Sequence, residues 1–318
     1  MTLWLLACTS TPEDTEVVRG GSNDDCREQA EPWMVVSKPF DGAQTEWATG
    51  TLQGLEGSMT LGRTFANEVA WTPDGQVGAV AHEDGSLSVW TREGPLAAAM
   101  SGEWYASRVV AHPSGRAFII VDGNWPNNGG GLFTLPINCD NSLGTVERLN
   151  TSKLATDVVF VGDEALVVAV EVEGHPGHIH RLDEDWQVLQ SAVVFDYEGS
   201  SPSDAELGPD GSIWVTDISM WGDDENRVVI LEPDLSVRAT VLVRDPLDIA
   251  VSDTALVLSG FNDEVLLVGL DGQILARASS ELPTSVVLAQ GGALVVENTR
   301  LRLFSLQDLS ELKSLSPG

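Results

Sequence analysis

Four carboxylates and one arginine fall at the same place in successive copies of a repeated stretch. They are Glu68, Arg108, Asp157, Asp204 and Asp248, with Ser285 in a sixth copy, each just before or at the start of a short apolar run. Carboxylates drawn together repel, so they either keep a proton or recruit a cation. A hard cation such as Ca²⁺ takes about six to eight oxygen ligands, which a ring of carboxylates and loop carbonyls supplies. Glu68, Asp157, Asp204 and Asp248 are therefore the candidate metal ligands, and Ca²⁺ is the one cofactor the pattern suggests. A cation held there would polarise a substrate carbonyl while Arg108 steadies a developing oxyanion. The competing reading is structural: an Asp at a strand entry bonds local main-chain N–H groups and fixes the turn.

Two other groups of side chains could bind a ligand. Segment 217–226, D-I-S-M-W-G-D-D-E-N, sets Trp221 beside Asp223 and Asp224, and segment 122–131, D-G-N-W-P-N-N-G-G-G, sets Trp125 among amides. A tryptophan exposed among polar groups is a stacking platform for sugars or cationic groups; folded back, it is a lid on its own loop. Segment 171–180, E-V-E-G-H-P-G-H-I-H, holds His175, His178 and His180. His178 and His180 alternate along a strand and share a face, so both could ligate one metal; a solvated loop edge is the alternative. No G-x-S-x-G, H-E-x-x-H, P-loop or dinucleotide fingerprint occurs, so no catalytic residue is assigned.

These residues are positioned by a repeat. Copies open A-N-E-V-A-W-T-P-D-G (66–75), A-S-R-V-V-A-H-P-S-G (106–115) and A-T-D-V-V-F-V-G-D-E (155–164), then P-S-D-A-E-L-G-P-D-G (202–211), P-L-D-I-A-V-S-D-T (246–254) and P-T-S-V-V-L-A-Q-G-G (283–292). The starts lie roughly 37 to 49 residues apart, the period of four-stranded propeller blades. A second run follows each opening, as in Val77–Ala81 and Ile213–Asp217, and then a third, as in Leu87–Trp90 and Arg227–Leu231. Pro-Asp-Gly and Asp-Gly between runs mark tight turns that need a positive φ. No stretch sustains apolar spacing at the helical period, so the expectation is an all-β fold: a single β-propeller of four-stranded blades. Six copies are clear, and a seventh is expected from Trp33 to Phe65. Seven blades is the reading, with six and an N-terminal closing strand as the alternative. Trp71, Trp90 and Trp214 fall on strands and are expected to pack blades together.

Residues 66–90 are similar to a WD40 or YVTN unit. Ile213–Leu231 is similar to an NHL unit, with V-T-D at 215–217 where those repeats carry Val-x-Asp. The copies thus resemble bacterial lactonase-like, YVTN, NHL and WD40 propellers over about residues 66–306. His112-Pro113 resembles the His-Pro of lactonase repeats. Gluconolactonase-like propellers place a metal at the mouth of the channel; their ligand motif has no residue-by-residue counterpart here.

Lys+Arg number 17 against 48 Asp+Glu, a net charge of -31. A phosphate backbone would be repelled, which argues against nucleic-acid partners. Leu5-Leu6-Ala7-Cys8 looks like a bacterial lipobox, although Leu6 is not small and no Lys or Arg precedes it; an upstream start codon would supply the missing basic residues. Residues 9–30 read as an acidic disordered tether, and 31–318 as the propeller domain, with 1–8 the signal remnant. With Cys8 lipidated, Cys26 and Cys139 remain, either as one disulfide or as two free thiols. No other stretch approaches the roughly 18 apolar residues of a membrane helix.

Two functions follow. The first is a lipid-anchored module of the cell envelope, periplasmic or surface, that binds a protein or glycan through its loop-bearing face by way of Arg108, Trp125, His178, His180, Trp221, Asp223 and Asp224. Whether the chain is an enzyme is left open by the sequence, with the binding module as the leading reading. The alternative is a metal-dependent hydrolase of the lactonase type.

Overall fold

Strand formation follows from the runs themselves. They are short, rich in Val, Ile and Leu, and separated by Asp, Gly and Pro, so they can neither continue as helices nor extend past the turns. The computed structural model describes residues 5–8, 34–40, 44–51, 54–60, 66–82, 84–91, 93–100, 105–122, 130–149, 155–162, 164–169, 177–195, 200, 202–218, 226–252, 255–260, 263–281, 283, 285–289, 292–297 and 300–315.

Among the described residues there are seven four-stranded sheets, and in each the strands lie in chain order. The first joins β1 (Leu5–Cys8), β2 (Met34–Phe40), β3 (Gln44–Thr51) and β4 (Gly54–Thr60). The second holds β5 (Ala66–Trp71), β6 (Val77–His82), β7 (Leu87–Thr91) and β8 (Gly94–Met100). The third holds β9 (Ala106–Ala111), β10 (Ala117–Asp122), β11 (Gly131–Pro136) and β12 (Glu147–Arg148). The fourth holds β13 (Ala155–Val161), β14 (Glu164–Ala169), β15 (Gly177–Leu182) and β16 (Val188–Phe195). The fifth holds β17 (Pro202–Leu207), β18 (Ile213–Asp217), β19 (Arg227–Leu231) and β20 (Val237–Leu242). The sixth holds β21 (Pro246–Val251), β22 (Ala255–Gly260), β23 (Glu264–Gly269) and β24 (Ile274–Ser279). The last holds β25 (Ser285–Ala289), β26 (Gly292–Val296), β27 (Leu301–Ser305) and β28 (Glu311–Leu315). The chain is an all-β propeller of four-stranded antiparallel blades.

The chain divides into two compact units. One comprises Ala7–Val167 with Arg181–Leu189; the other comprises Met1–Leu6, Val168–His180 and Gln190–Gly318. Within each unit, first strands of successive blades lie side by side: β5 by β9 and β9 by β13 in the former, β17 by β21 and β21 by β25 in the latter.

Middle strands bury both faces, which is why they read as unbroken apolar runs. On β10, Phe118 and Ile120 pack with Val77, Leu87 and Leu135, while Ile119 and Val121 pack with Val158, Val167 and Leu182 on the opposite side. In the other unit Trp214, Ile230, Ile249 and Leu266 form the layer between the fifth and sixth blades. Trp71, Trp90 and Trp214 are buried as expected; Trp214 packs between blades, while Trp71 meets Trp90 edge-on within the second blade, with centroids 5.8 Å apart. Gly78 leaves room for the Trp71 ring, because a Cβ at that position would lie 2.4 Å from it.

The turns share a build that the Pro-Asp-Gly signal only partly conveyed. In the turn 208–212 the Gly211 N–H donates to the Gly208 carbonyl and the Gly208 N–H donates to the Ser212 carbonyl, a type I turn closed by a residue of positive φ. Asp210 Oδ1 then accepts both the N–H and the hydroxyl of Ser212, at 3.1 and 2.5 Å. The same Asp-x-Ser clasp recurs at Asp84–Ser86, Asp140–Ser142, Asp234–Ser236 and Asp308–Ser310. The middle residue is Gly at 85 and 211, but Asn141, Leu235 and Leu309 hold the same left-handed conformation elsewhere, with φ of 63°, 65° and 57°. Leu235 and Leu309 are buried, so side-chain burial offsets the backbone cost there.

Candidate functional site

Glu68, Arg108, Asp157, Asp204, Asp248 and Ser285 stand on the first strands β5, β9, β13, β17, β21 and β25, each near the strand's start. The equivalence expected from the repeat is therefore present in three dimensions. What the side chains do there differs between the two units.

In the first unit the arginine sits between two acids. The Arg108 guanidinium lies 3.6 Å from Glu68 and 3.5 Å from Asp157, so one cation links the first strands of three successive blades. Asp157 is nearly sealed, with its side chain 5% exposed, and its Oδ1 also accepts the Val158 N–H at 2.7 Å. A buried carboxylate needs such partners, because desolvation is costly without them.

In the second unit the carboxylates reach across blades to main chain. Asp204 Oδ2 accepts the N–H of Ile249 at 3.0 Å, and Asp248 Oδ2 accepts the N–H of Val286 at 2.7 Å. Each acid thus holds the residue that follows the equivalent position in the next copy. Local turn capping would have used neighbours in sequence; these bonds span 45 and 38 residues. The cause lies in the strand geometry. A first strand pairs with its own blade on one side only, and the N–H groups on its other side need acceptors.

The strand ends beside these positions are polar and buried as well. Asp122, Asp217 and Glu297 close the second strands or directly follow them, and all three are sealed from solvent. Asp122 accepts the Tyr105 N–H at 2.9 Å, and Asp217 lies 3.6 Å from Arg227. Glu297 gathers the Ser280 hydroxyl at 2.5 Å, Arg300 at 2.6 Å and Arg302 at 2.9 Å. Burial alone would raise its pKa. The hydrogen bonds from Ser280, Arg300 and Arg302 outweigh that and hold it below the ordinary glutamate value.

Among the described residues, no three His, Cys, Asp or Glu side chains converge as a group able to hold a metal ion. Glu68, Asp157, Asp204 and Asp248 are not brought together as one such group.

His178 and His180 lie on β15 with rings nearly parallel and centroids 6.0 Å apart. Trp125, His175, Trp221, Asp223 and Asp224 lie outside the described residues, as does Cys26. Cys139 takes part in a disulfide. Cys8 ends β1, and cleavage before it would remove Leu5–Ala7 from that strand. No helix among the described residues is long and apolar enough to cross a membrane.

Sequence reasoning missed the clasp residues and Glu297. The Asp-x-Ser spacing was there to read; the Glu297 cluster draws on Ser280, Arg300 and Arg302 and had no local signal.

No family model matches the chain, and neither does any curated protein. Solved structures do match in fold. Saccharomyces cerevisiae Sqt1 superposes with a TM-score of 0.64 at 11% identity, over 91% of this chain and 83% of that one. The β-propeller domain of Myceliophteria thermophila Cps50 (Swd1) gives 0.61 at 12% identity, over 90% and 94%. U3-55K gives 0.60 at 11% identity, over 80% and 82%. The chain is structurally similar to these WD40 propellers, and identities this low establish the fold alone.

Proposed function

We propose that this chain is a protein-binding scaffold, a seven-bladed propeller that holds its partner through connections between second and third strands, with segments 123–129 and 219–225 as the candidates. One observation carries the reading. The polar side chains at the strand entries, where a lactonase-type centre would sit, hold the blades to one another: Arg108 links Glu68 and Asp157, and Asp204 and Asp248 hold the next copy's main chain. Recognition is then assigned to the residue types of those segments, with Trp125 and Trp221 as aromatic anchors and Asp223 and Asp224 as acidic contacts. WD40-like propellers typically serve as protein-binding scaffolds, which agrees with this reading. The charge of -31 favours a partner with a basic face.

In the same reading Cys8 carries a lipid, residues 9–30 are a tether, and Cys26 is the disulfide partner of Cys139. This places the propeller on the bacterial cell envelope. A glycan is the other ligand class that tryptophan platforms fit.

The test is affinity capture from a solubilised envelope fraction with the wild-type chain and a Trp125→Ala/Trp221→Ala variant. A polypeptide retained by the first and lost by the second supports the proposal. Identical retention by both overturns the assignment of the binding face. The mass of the mature N-terminus separately tests the anchor at Cys8.

A further inference from the structure

The fourth strand of each blade is the last in its sheet, so its outer edge has no strand beside it in that sheet. A bare edge is a template for pairing with another chain, and natural proteins blunt it with charge, proline or shortness. Among the described residues, six of the seven fourth strands carry such a device. β4 holds Glu56, β8 Pro95, β20 Arg238, β24 Arg277, and β28 both Glu311 and Lys313, while β12 has 2 residues. β16 carries none: V-L-Q-S-A-V-V-F is 8 residues long without a charge or a proline.

The side chains of β16 are open to solvent as well. Val188, Leu189 and Val193 are 52%, 55% and 54% exposed. Leu189, Ser191 and Val193 alternate along the strand and so share one face, and all three are exposed. The strand is nevertheless held in place: Gln190, on the other face, donates its side-chain amide to the Asp234 carbonyl at 2.8 Å. The turn that leads into β16 is acidic. Asp183 Oδ1 accepts the Asp185 and Gln187 N–H groups at 3.0 and 2.8 Å, which engages Asp183 in the turn itself. Glu184 and Asp185 lie exposed just ahead of the strand.

We propose that the outer edge of β16 is a docking site for an extended segment of a partner protein, apolar at alternate positions and carrying Lys or Arg at the end that meets Glu184 and Asp185. The segment adds as a further strand of the blade. Main-chain hydrogen bonds supply the affinity, and side chains lying over Leu189 and Val193 supply the selectivity. Charge complementarity chooses this occupant, since an acidic turn stands at one end of an uncharged apolar strand. A second copy fits worse, because it brings the same acidic turn and a further charge of -31 to the contact. The site is separate from segments 123–129 and 219–225, and neither needs the other.

The probe is the fluorescein-labelled octapeptide TVTVTVKK, whose residues favour extended backbone, titrated with the full chain by fluorescence anisotropy. Saturable binding with Kd below about 1 mM is expected. An added strand turns alternate N–H groups toward its neighbour. Methylating one alternate set of probe nitrogens should therefore weaken binding by about tenfold or more, and methylating the other set should be tolerated. Leu189→Ser/Val193→Ser should weaken binding by about tenfold or more, and so should TVTVTVEE in place of TVTVTVKK. Leu275→Ser/Leu312→Ser, at positions 58% and 55% exposed on blunted strands, should leave it unchanged. Thermal unfolding establishes that the variants are folded, and the methylated probes need no variant. No saturable binding by wild type overturns the site. Equal loss or equal retention with the two methylated sets overturns strand addition. Full binding by Leu189→Ser/Val193→Ser overturns the location, and equal binding of TVTVTVEE overturns the charge preference. Self-association of wild type in sedimentation, lost in Leu189→Ser/Val193→Ser, overturns the choice of a partner segment and gives the edge to a second copy. None of these outcomes involves Trp125 or Trp221, so failure here leaves the scaffold proposal standing.

Discussion

Replacing Asp204 with alanine removes the acceptor that Oδ2 offers to the Ile249 N–H at 3.0 Å. Both residues are buried, at 5% and 2% exposure, so water does not take over freely. A stranded buried donor costs about 1–3 kcal/mol, with bonds to charged acceptors toward the upper end. A loss of about 2 kcal/mol lowers Tm by about 3 °C in a chain of 318 residues. Asparagine keeps a carbonyl oxygen in place and loses only the charge, so Asp204→Asn should fall by about 1 kcal/mol, roughly half as far. Asp248→Ala and Asp248→Asn should repeat the pattern at Val286. The assay is thermal and urea unfolding of the six-member set: wild type, the four single variants and a Ser280→Ala reference. If Asp204→Asn is as damaging as Asp204→Ala, acceptance of a main-chain N–H is not what the carboxylate contributes. If Asp204→Ala stays within about 0.5 kcal/mol of wild type, the cross-blade bond carries no stability and the argument fails.

Three further outcomes follow from the packing. Glu297→Ala removes the buried acceptor of Ser280, Arg300 and Arg302, and should cost about 1–3 kcal/mol, the loss expected when a buried donor loses its acceptor, measured by urea unfolding. Gly78→Ala drives a methyl into the Trp71 ring and should cost about 1–3 kcal/mol, with a change in near-ultraviolet tryptophan dichroism as Trp71 leaves Trp90. The hydrogen bond from Ser212, joined by Arg238 and opposed by burial, holds Asp210 at a pKa of about 2. Its folded value is depressed, so its contribution is present above the unfolded value near 4 and is lost as pH falls toward 2. Asp210→Asn should therefore lose less Tm than wild type over that window.

The architecture was legible because blade strands are buried on both faces and punctuated by turn residues. Ile213–Asp217, Gly131–Pro136 and Arg227–Leu231 have the bounds that their residue types suggest. The copy from Trp33 to Phe65 was also legible, as β2, β3 and β4, without an opening motif. The outer strands were not read strand by strand, since one such as β24, ILARAS, alternates half-buried and exposed positions and carries charge. The equivalence of Glu68, Arg108, Asp157, Asp204 and Asp248 could be read from the repeat, but their partners could not. A sequence shows that an Asp begins a strand. It does not show that the acceptor is needed by a main-chain N–H 45 residues away in the next copy. The turn at Leu235 was obscured for a related reason: a left-handed leucine is unfavourable locally and becomes acceptable only where its side chain is buried.

The most direct measurement of whether the strand-entry carboxylates hold the fold together or hold a cation is thermal unfolding of the full chain in excess Ca²⁺ and in chelator. Ligand that binds only the folded state raises stability by about 2.7 kcal/mol at a hundredfold excess over Kd, several degrees of Tm. Acids already engaged with Arg108, Ile249 and Val286 predict the same Tm in both solutions. A rise of several degrees with Ca²⁺ that disappears in the Asp204→Asn/Asp248→Asn variant would contradict the account and return the strand entries to metal chemistry.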